Sequence, residues 1–200
     1  YSMEAITKLK IKKNVLAVIP LVENMPSGKA LKPGDVIKTM SGTTVEIIST
    51  DAEGRLILAD AITYAKKMGA SKLVDFATLT GACTTSLGDI AAAALGNDGE
   101  LVESVINAGG RSGERLWELP LYDEYGEYLK SSVADIKNCS DLGKASTSTA
   151  AFFLKDFVGD TPWVHVDIAS IASLEREVRF WGKGATGAGV FTAVNYLLFS

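Results

Sequence analysis

The passage from Arg55 to Leu79 restricts the fold more than any other part of the sequence. From Arg55 to Met68 apolar residues recur at helical spacing (Leu56, Ala59, Ile62, Ala65), and Lys66-Lys67 followed by Gly69 supply a basic last turn and a glycine stop. Immediately afterwards SKLVDFATL, residues 71–79, reads as a nearly continuous buried strand. A helix that feeds directly into such a strand is half of an α/β unit, so further strands and helices are expected elsewhere in the chain.

They can be found by pattern. NVLAVIP (14–20) is an apolar run of strand length that stops at proline, and the polar LVENMPSGKALKPGD after it, with its prolines and glycines, reads as a loop. DVIKTM and TTVEII flank Ser41-Gly42 and alternate as a hairpin does. IAAAALGND (90–98) is apolar but ambiguous in type. ELVESVINAGG, DEYGEYLK, TSTAAFFLKDFVG and AGVFTAVNYLLFS read as helices, and WVHVDIA (163–169) as a strand. The alternation predicts an α/β fold with a mixed, mostly parallel sheet covered by helices on both faces. No repeats, low-complexity tracts or linkers interrupt it, so residues 1–200 are expected to form one domain. The start, SMEAITKLK, reads as the last turns of a helix with no cap before it, as though the chain began part-way through an element.

Composition removes several classes of function. The chain is 47% hydrophobic and 22% charged, which suits a soluble globular domain. A net charge of −4 leaves no electrostatic footprint for nucleic acid. No run is long and apolar enough for a membrane span, and the N-terminus lacks the order of a signal peptide. Cys83 and Cys139 are the only cysteines, which fits a reducing, cytoplasmic setting without a disulfide framework. Asn138-Cys139-Ser140 matches a glycosylation sequon, read here as chance.

Three features could carry chemistry. GKGATG (182–187) matches the dinucleotide fingerprint, but the chain ends before a βαβ unit and its acidic residue could follow, so a tight glycine loop before the last helix is expected. His165 is the only histidine and lies in an alternating strand, the position of a structural histidine. With one histidine, His-rich zinc sites are excluded and any metal must be held mainly by oxygen. The third feature is STDAEGRL (49–56). Thr50-Asp51-Ala52-Glu53 fits a capping box, in which Thr50 caps the Glu53 amide and Glu53 reaches back. The same two carboxylates, on a loop leading into a helix, could instead hold metal ions roughly 3.5–4 Å apart, one of them bridging. Gly54 leans toward the metal, because glycine in a first turn costs up to about 1 kcal/mol and does nothing for a cap.

TDAEGRL resembles the signature of the leucine aminopeptidase (cytosol aminopeptidase) family, which is written N-T-D-A-E-G-R-L. ENMPSGKALKPGDV (23–36), LADAITYA (58–65), ATLTGA (77–82), FVGDTPWVHVDIA (157–169) and KGATGAGV (183–190) stand in that family's order, across almost the whole chain. The resemblance implies a catalytic domain, incomplete at its N-terminal side, of a cytoplasmic two-metal exopeptidase. Such an enzyme removes N-terminal residues, often leucine, from peptides. By that resemblance Asp51 and Glu53 are metal ligands, zinc or manganese being the ions and Glu53 bridging. Arg55 is catalytic and holds a bicarbonate that serves as general base. Thr78, Leu79, Thr80 and Gly81 line the substrate pocket, with the Leu79 carbonyl offered to the substrate nitrogen. The family assembles as a homohexamer.

The sequence also departs from the family. The remaining site residues, lysines and aspartates that precede the first helix, are not in this sequence. Ser49 replaces an asparagine, NCSDLGKASTSTAA replaces a glycine-rich stretch that carries an arginine, and REVRFWGKG departs from a proline-containing approach to the last loop. The chain alone is therefore expected to bind metal weakly and to hydrolyse little. An inactive relative that works through assembly is the alternative.

Overall fold

The computed structural model describes residues 1–200. In chain order its elements are α1 (Ser2–Lys8), β1 (Val36–Lys38), β2 (Thr44–Glu46), a 3-10 turn (Thr50–Ala52), α2 (Glu53–Lys67), β3 (Leu73–Ala77), α3 (Gly81–Leu87), β4 (Ala92–Gly96), α4 (Gly99–Ser112), β5 (Leu116–Glu118), a second 3-10 stretch (Asp123–Leu129), β6 (Ile136–Lys137), α5 (Ser146–Val158), β7 (Trp163–Asp167), β8 (Ser173–Leu174), β9 (Gly184–Ala185) and α6 (Val190–Phe199). They gather into two compact units interleaved in sequence. The first comprises Tyr1–Ala17, Val74–Pro120 and Pro162–Ser200, and the second Val18–Leu73 and Leu121–Thr161.

The first unit is built on a mixed sheet ordered β3-β7-β4-β5, in which β4 runs parallel to β5 and antiparallel to β7. Strand alternation gives it two different faces. Ala92, Ala94, Val164 and Val166 form one, packed with Leu101, Val102 and Val105 of α4, and all of these are buried. Each such Val or Leu side chain contributes about 1.5–3 kcal/mol by leaving water. Helix α4 starts where the Asp98 side chain accepts from the Leu101 amide at 2.8 Å, and stops at left-handed Gly113. Trp163, His165 and Asp167 point to the other face and are equally buried, so that face carries polar groups that need partners. Asp75 takes the Trp163 Nε1–H at 2.7 Å and pairs with His165 Nδ1 at 2.6 Å. His165 is thus a structural histidine, as its place in the strand predicts. Glu114, almost fully buried, accepts from the Gly189 and Thr192 amides at 3.1 and 2.8 Å and starts α6.

The second unit has a three-stranded sheet ordered β1-β2-β6. Strands β1 and β2 form the predicted hairpin around Ser41-Gly42, with Ile37 opposite Val45, and β6 joins β2 in parallel. Val45 and Ile47 are wholly buried. Helix α2 buries Leu56, Ala59, Ile62 and Ala65, the positions its periodicity selects, and packs with α5. At the end of α5 the Lys66 ammonium donates to the Phe157 and Val158 carbonyls, at 2.8 and 2.7 Å, supplying two acceptors that a helix terminus leaves open.

The fold is α/β with mixed sheets, and the sequence misplaced some of its parts. NVLAVIP forms no strand, and Leu16 and Ile19 are 50% and 76% exposed, because apolar residues make a buried strand only where a neighbouring strand pairs with their backbone. DEYGEYLK is 3-10 rather than α-helical. SKLVDFATL forms a strand only half-buried beyond Leu73, as suits an edge of its sheet. The ambiguous IAAAALGND is β4, fully buried from Ala92 to Leu95. GKGATG enters the short β9 and turns into α6 through left-handed Gly187 and Gly189, a glycine loop rather than a phosphate cradle. No helix is long and apolar enough to cross a membrane.

Candidate active site

Asp51, Glu53 and Arg55 occupy one junction of the second unit, where β2 leads through a 3-10 turn into α2. The cap there is Ser49, not Thr50. Ser49 is extended and its Oγ accepts from the Asp51 amide at 3.3 Å, whereas α2 proper begins after Ala52 with no side-chain cap. The capping box predicted for Thr50 and Glu53 is therefore corrected. An intervening 3-10 turn shifts the helix start, and Ser49 has the non-helical backbone that a cap requires. Asp51 is exposed. Glu53 is half-buried and lines a cavity of about 480 Å³ with Asn24, Lys38, Thr39, Ser49 and Asp60 among others.

One side chain organises this junction. Asn138 is wholly buried, just after β6. Its Oδ1 accepts from the Ile48 and Ser49 amides, at 2.8 and 3.3 Å, and its Nδ2 donates to the Ser49 carbonyl at 2.6 Å and, longer, to that of Ala52 at 3.5 Å. The Asn138 backbone carbonyl accepts from Arg55 Nη1 at 2.8 Å, and Arg55 is itself buried. A primary amide is the group that can accept and donate at once, which is what a turn presenting both amides and carbonyls demands. The same burial makes Asn138 inaccessible to glycan attachment in the folded chain. Beside it, burial pushes the Cys139 thiol up from its ordinary range, with the positive charge of Arg55 pulling the other way.

Thr78 to Gly81 lie in the first unit, between β3 and α3. Here the organiser is Asp167 at the end of β7, wholly buried. Its Oδ1 accepts from the Leu79 and Ala169 amides, both at 3.1 Å, and its Oδ2 from the Thr80 amide at 3.1 Å and the Thr80 hydroxyl at 2.7 Å. The Ile168 amide donates to the Ala77 carbonyl at 2.9 Å, so strand and loop are tied at two levels. Thr78 and Gly81 are exposed, Leu79 half-buried and Thr80 buried.

The donor set does not make a complete metal site. No group of three or more His, Cys, Asp or Glu side chains is arranged to hold an ion. Asp51 and Glu53 are two carboxylates on one turn, and hard or borderline divalent cations take four or more ligands. His165 is engaged with Asp75, away from this junction in sequence and fold.

A model of the catalytic domain of the cytosol aminopeptidase family matches residues 1–194, running through both units. The chain belongs to the cytosol aminopeptidase family. It is 52% identical over 196 residues to a probable cytosol aminopeptidase of Geobacter sp. (strain M21), covering 98% of this chain and 40% of that protein. It is 52% identical to that of Geobacter sulfurreducens over 193 residues, 96% of this chain and 39% of the relative. It is 50% identical to that of Alkaliphilus oremlandii (strain OhILAs) over 191 residues, 96% and 38%. The chain spans about two-fifths of the length of these curated relatives.

The residues that shape this cytosol aminopeptidase domain's two loops, Asn138 and Asp167, were not among those singled out from sequence. Asn138 stood in view only as a sequon. The available signal for Asp167 was a carboxylate at the end of an otherwise apolar strand, where a buried charge needs several donors.

Proposed function

We propose that the chain is the site-bearing part of a metal-dependent aminopeptidase that releases N-terminal residues, leucine-like ones foremost, from peptides. The observation that carries this reading is the junction at residues 49–55. There Ser49 takes over the cap, Glu53 faces a cavity, and Arg55 is anchored by its guanidinium one helical step on. Family membership supports the reaction class.

In this reading Asp51 and Glu53 are the chain's contribution to a site for two divalent ions, zinc or manganese, and residues outside these 200 complete it. Such ions, when bound, supply a water of lowered pKa and a Lewis acid. Arg55 is held in place by the Asn138 carbonyl and offers a fixed positive charge to an anion such as bicarbonate and to a developing oxyanion. Thr78, Leu79, Thr80 and Gly81 receive the substrate. The reading includes a cytoplasmic location and a homo-oligomer, a hexamer, as the working assembly. The 200 residues by themselves would bind metal weakly and hydrolyse little, because two carboxylates do not enclose an ion pair. That same shortage of ligands favours the second reading, an inactive relative that works through assembly.

The test is hydrolysis of leucine amide, with manganese or zinc supplied, by a protein of the relatives' full length that carries this chain. The expected result is metal-dependent turnover that Glu53→Gln abolishes. Turnover that survives Glu53→Gln, or none at all in the unmutated protein, sinks the reading, and the latter leaves the assembly role standing.

A further inference from the structure

Asp167 does more than satisfy a buried loop. Its two oxygens take the N–H groups of two successive residues, Leu79 and Thr80. A peptide group is planar and, throughout this chain, trans, so the N–H of one residue points opposite to the C=O of the residue before it. Pulling the Leu79 and Thr80 amides onto one carboxylate therefore turns the Thr78 and Leu79 carbonyls away from it. The result is a pair of neighbouring acceptors on a loop where Thr78 is exposed and Leu79 half-buried.

We propose that Asp167 is a positioning residue that sets the Thr78 and Leu79 carbonyls as a paired acceptor for the N–H groups of a peptide substrate. The pairing resists rotation because the carboxylate is tied at four points. The Thr80 hydroxyl closes on Oδ2 at 2.7 Å and the Ala169 amide on Oδ1 at 3.1 Å, so neither oxygen can release one loop amide and keep its place cheaply. An asparagine could not substitute, since it would turn an N–H₂ group toward at least one of these donors. A preset pair of carbonyls recognises a substrate nitrogen without reorganising when it arrives, which is where a positioning residue acts on binding.

The proposal rests on the aminopeptidase reading for its substrate but not for its geometry, and the experiment separates the two. Asp167→Asn and Thr80→Ala are compared with the unmutated protein by amide hydrogen exchange and by leucine amide kinetics. In Asp167→Asn the Leu79 and Thr80 amides should exchange roughly tenfold faster or more, while Leu95 in β4 is unchanged. KM for leucine amide should rise by roughly tenfold with kcat moving much less. Thr80→Ala removes one hydroxyl from a residue the fold does not depend on for volume. It should move both readouts in the same direction by less, and it serves if Asp167→Asn does not fold. Unchanged exchange at Leu79 and Thr80 overturns the proposal, and so does faster exchange with an unchanged KM in a protein that turns over. An unmutated protein with no turnover sinks the aminopeptidase reading, and the exchange measurement then decides the role of Asp167 in the loop.

Discussion

The two candidate site loops are held by buried side chains of opposite character. Residues 48–55 gather round Asn138, a neutral amide that accepts from two backbone N–H groups and donates to backbone carbonyls. Residues 78–81 gather round Asp167, a carboxylate that only accepts. The difference follows from what each loop presents. The turn before α2 offers N–H and C=O groups on the same side, because a 3-10 turn is starting there, so its organiser must answer both. The loop after β3 offers N–H and O–H groups only, so a carboxylate satisfies it fully and leaves its carbonyls for something else. In the first case the functional side chains are on the loop itself, and in the second the loop backbone is the functional group.

Substitutions should expose this contrast, and the largest effect is expected at Asn138. Asn138→Ala leaves the Ile48 and Ser49 amides and the Ser49 carbonyl without their partner in a site closed to water. The loss should be about 3 kcal/mol, read as a fall in the urea midpoint with an unchanged m value. A loss near zero would mean that water or the backbone replaces the amide, and the comparison would fail on that side. Next comes Thr80→Ala, which removes a single hydroxyl bound at 2.7 Å to a buried carboxylate. About 1.5 kcal/mol is expected in the same measurement. Ser49→Ala removes the cap on the Asp51 amide, a longer bond of 3.3 Å on a turn whose other groups Asn138 still holds. About 0.5 kcal/mol is expected. If Ser49→Ala cost more than Thr80→Ala, the cap rather than Asn138 would be the organiser of the first loop.

What the sequence reveals divides along the same line. Positions that repeat with a period are legible. Leu56, Ala59, Ile62 and Ala65 mark the buried stripe of α2, and Val164 and Val166 mark one face of β7, because burial follows geometry that spacing alone encodes. TDAEGRL points to the right turn, and its resemblance names Asp51, Glu53 and Arg55. What holds the turn lies 83 residues beyond Arg55 in Asn138, and what holds Leu79 lies 88 residues on in Asp167, contacts that no local window contains. NVLAVIP shows the converse failure. Its composition is that of a strand, but a strand is defined by a partner, and the residues themselves do not say whether one is there. The Thr50 box failed for a subtler reason, since serine and threonine stand side by side and the motif cannot say which of the two has the extended backbone.

The smallest expected effect is kinetic, and it reads both loops in one experiment. Each has a cysteine beside it. Cys139 follows Asn138, half-buried near Arg55 and Ser49, while Cys83 is wholly buried with its thiol toward the Asp167 carbonyl and Ser170 Oγ, each at 3.5 Å. Burial raises both thiols above the ordinary range. A raised thiol pKa means that its contribution to stability is intact below the pKa of the unfolded thiol and is lost as pH rises through the folded one, so both sites should loosen only in alkali. Reaction needs thiolate and access together. Iodoacetamide should therefore modify Cys139 slowly at neutral pH and faster as pH rises, while Cys83 stays unmodified until the chain unfolds. Arg55→Gln removes the charge that favours the Cys139 thiolate and should slow its modification a few-fold without touching Cys83. Asp167→Asn should do the reverse, opening Cys83 and leaving Cys139 alone. Equal modification of both cysteines in either variant would show that the loops are not held independently, and the contrast between their two organisers would lose its basis.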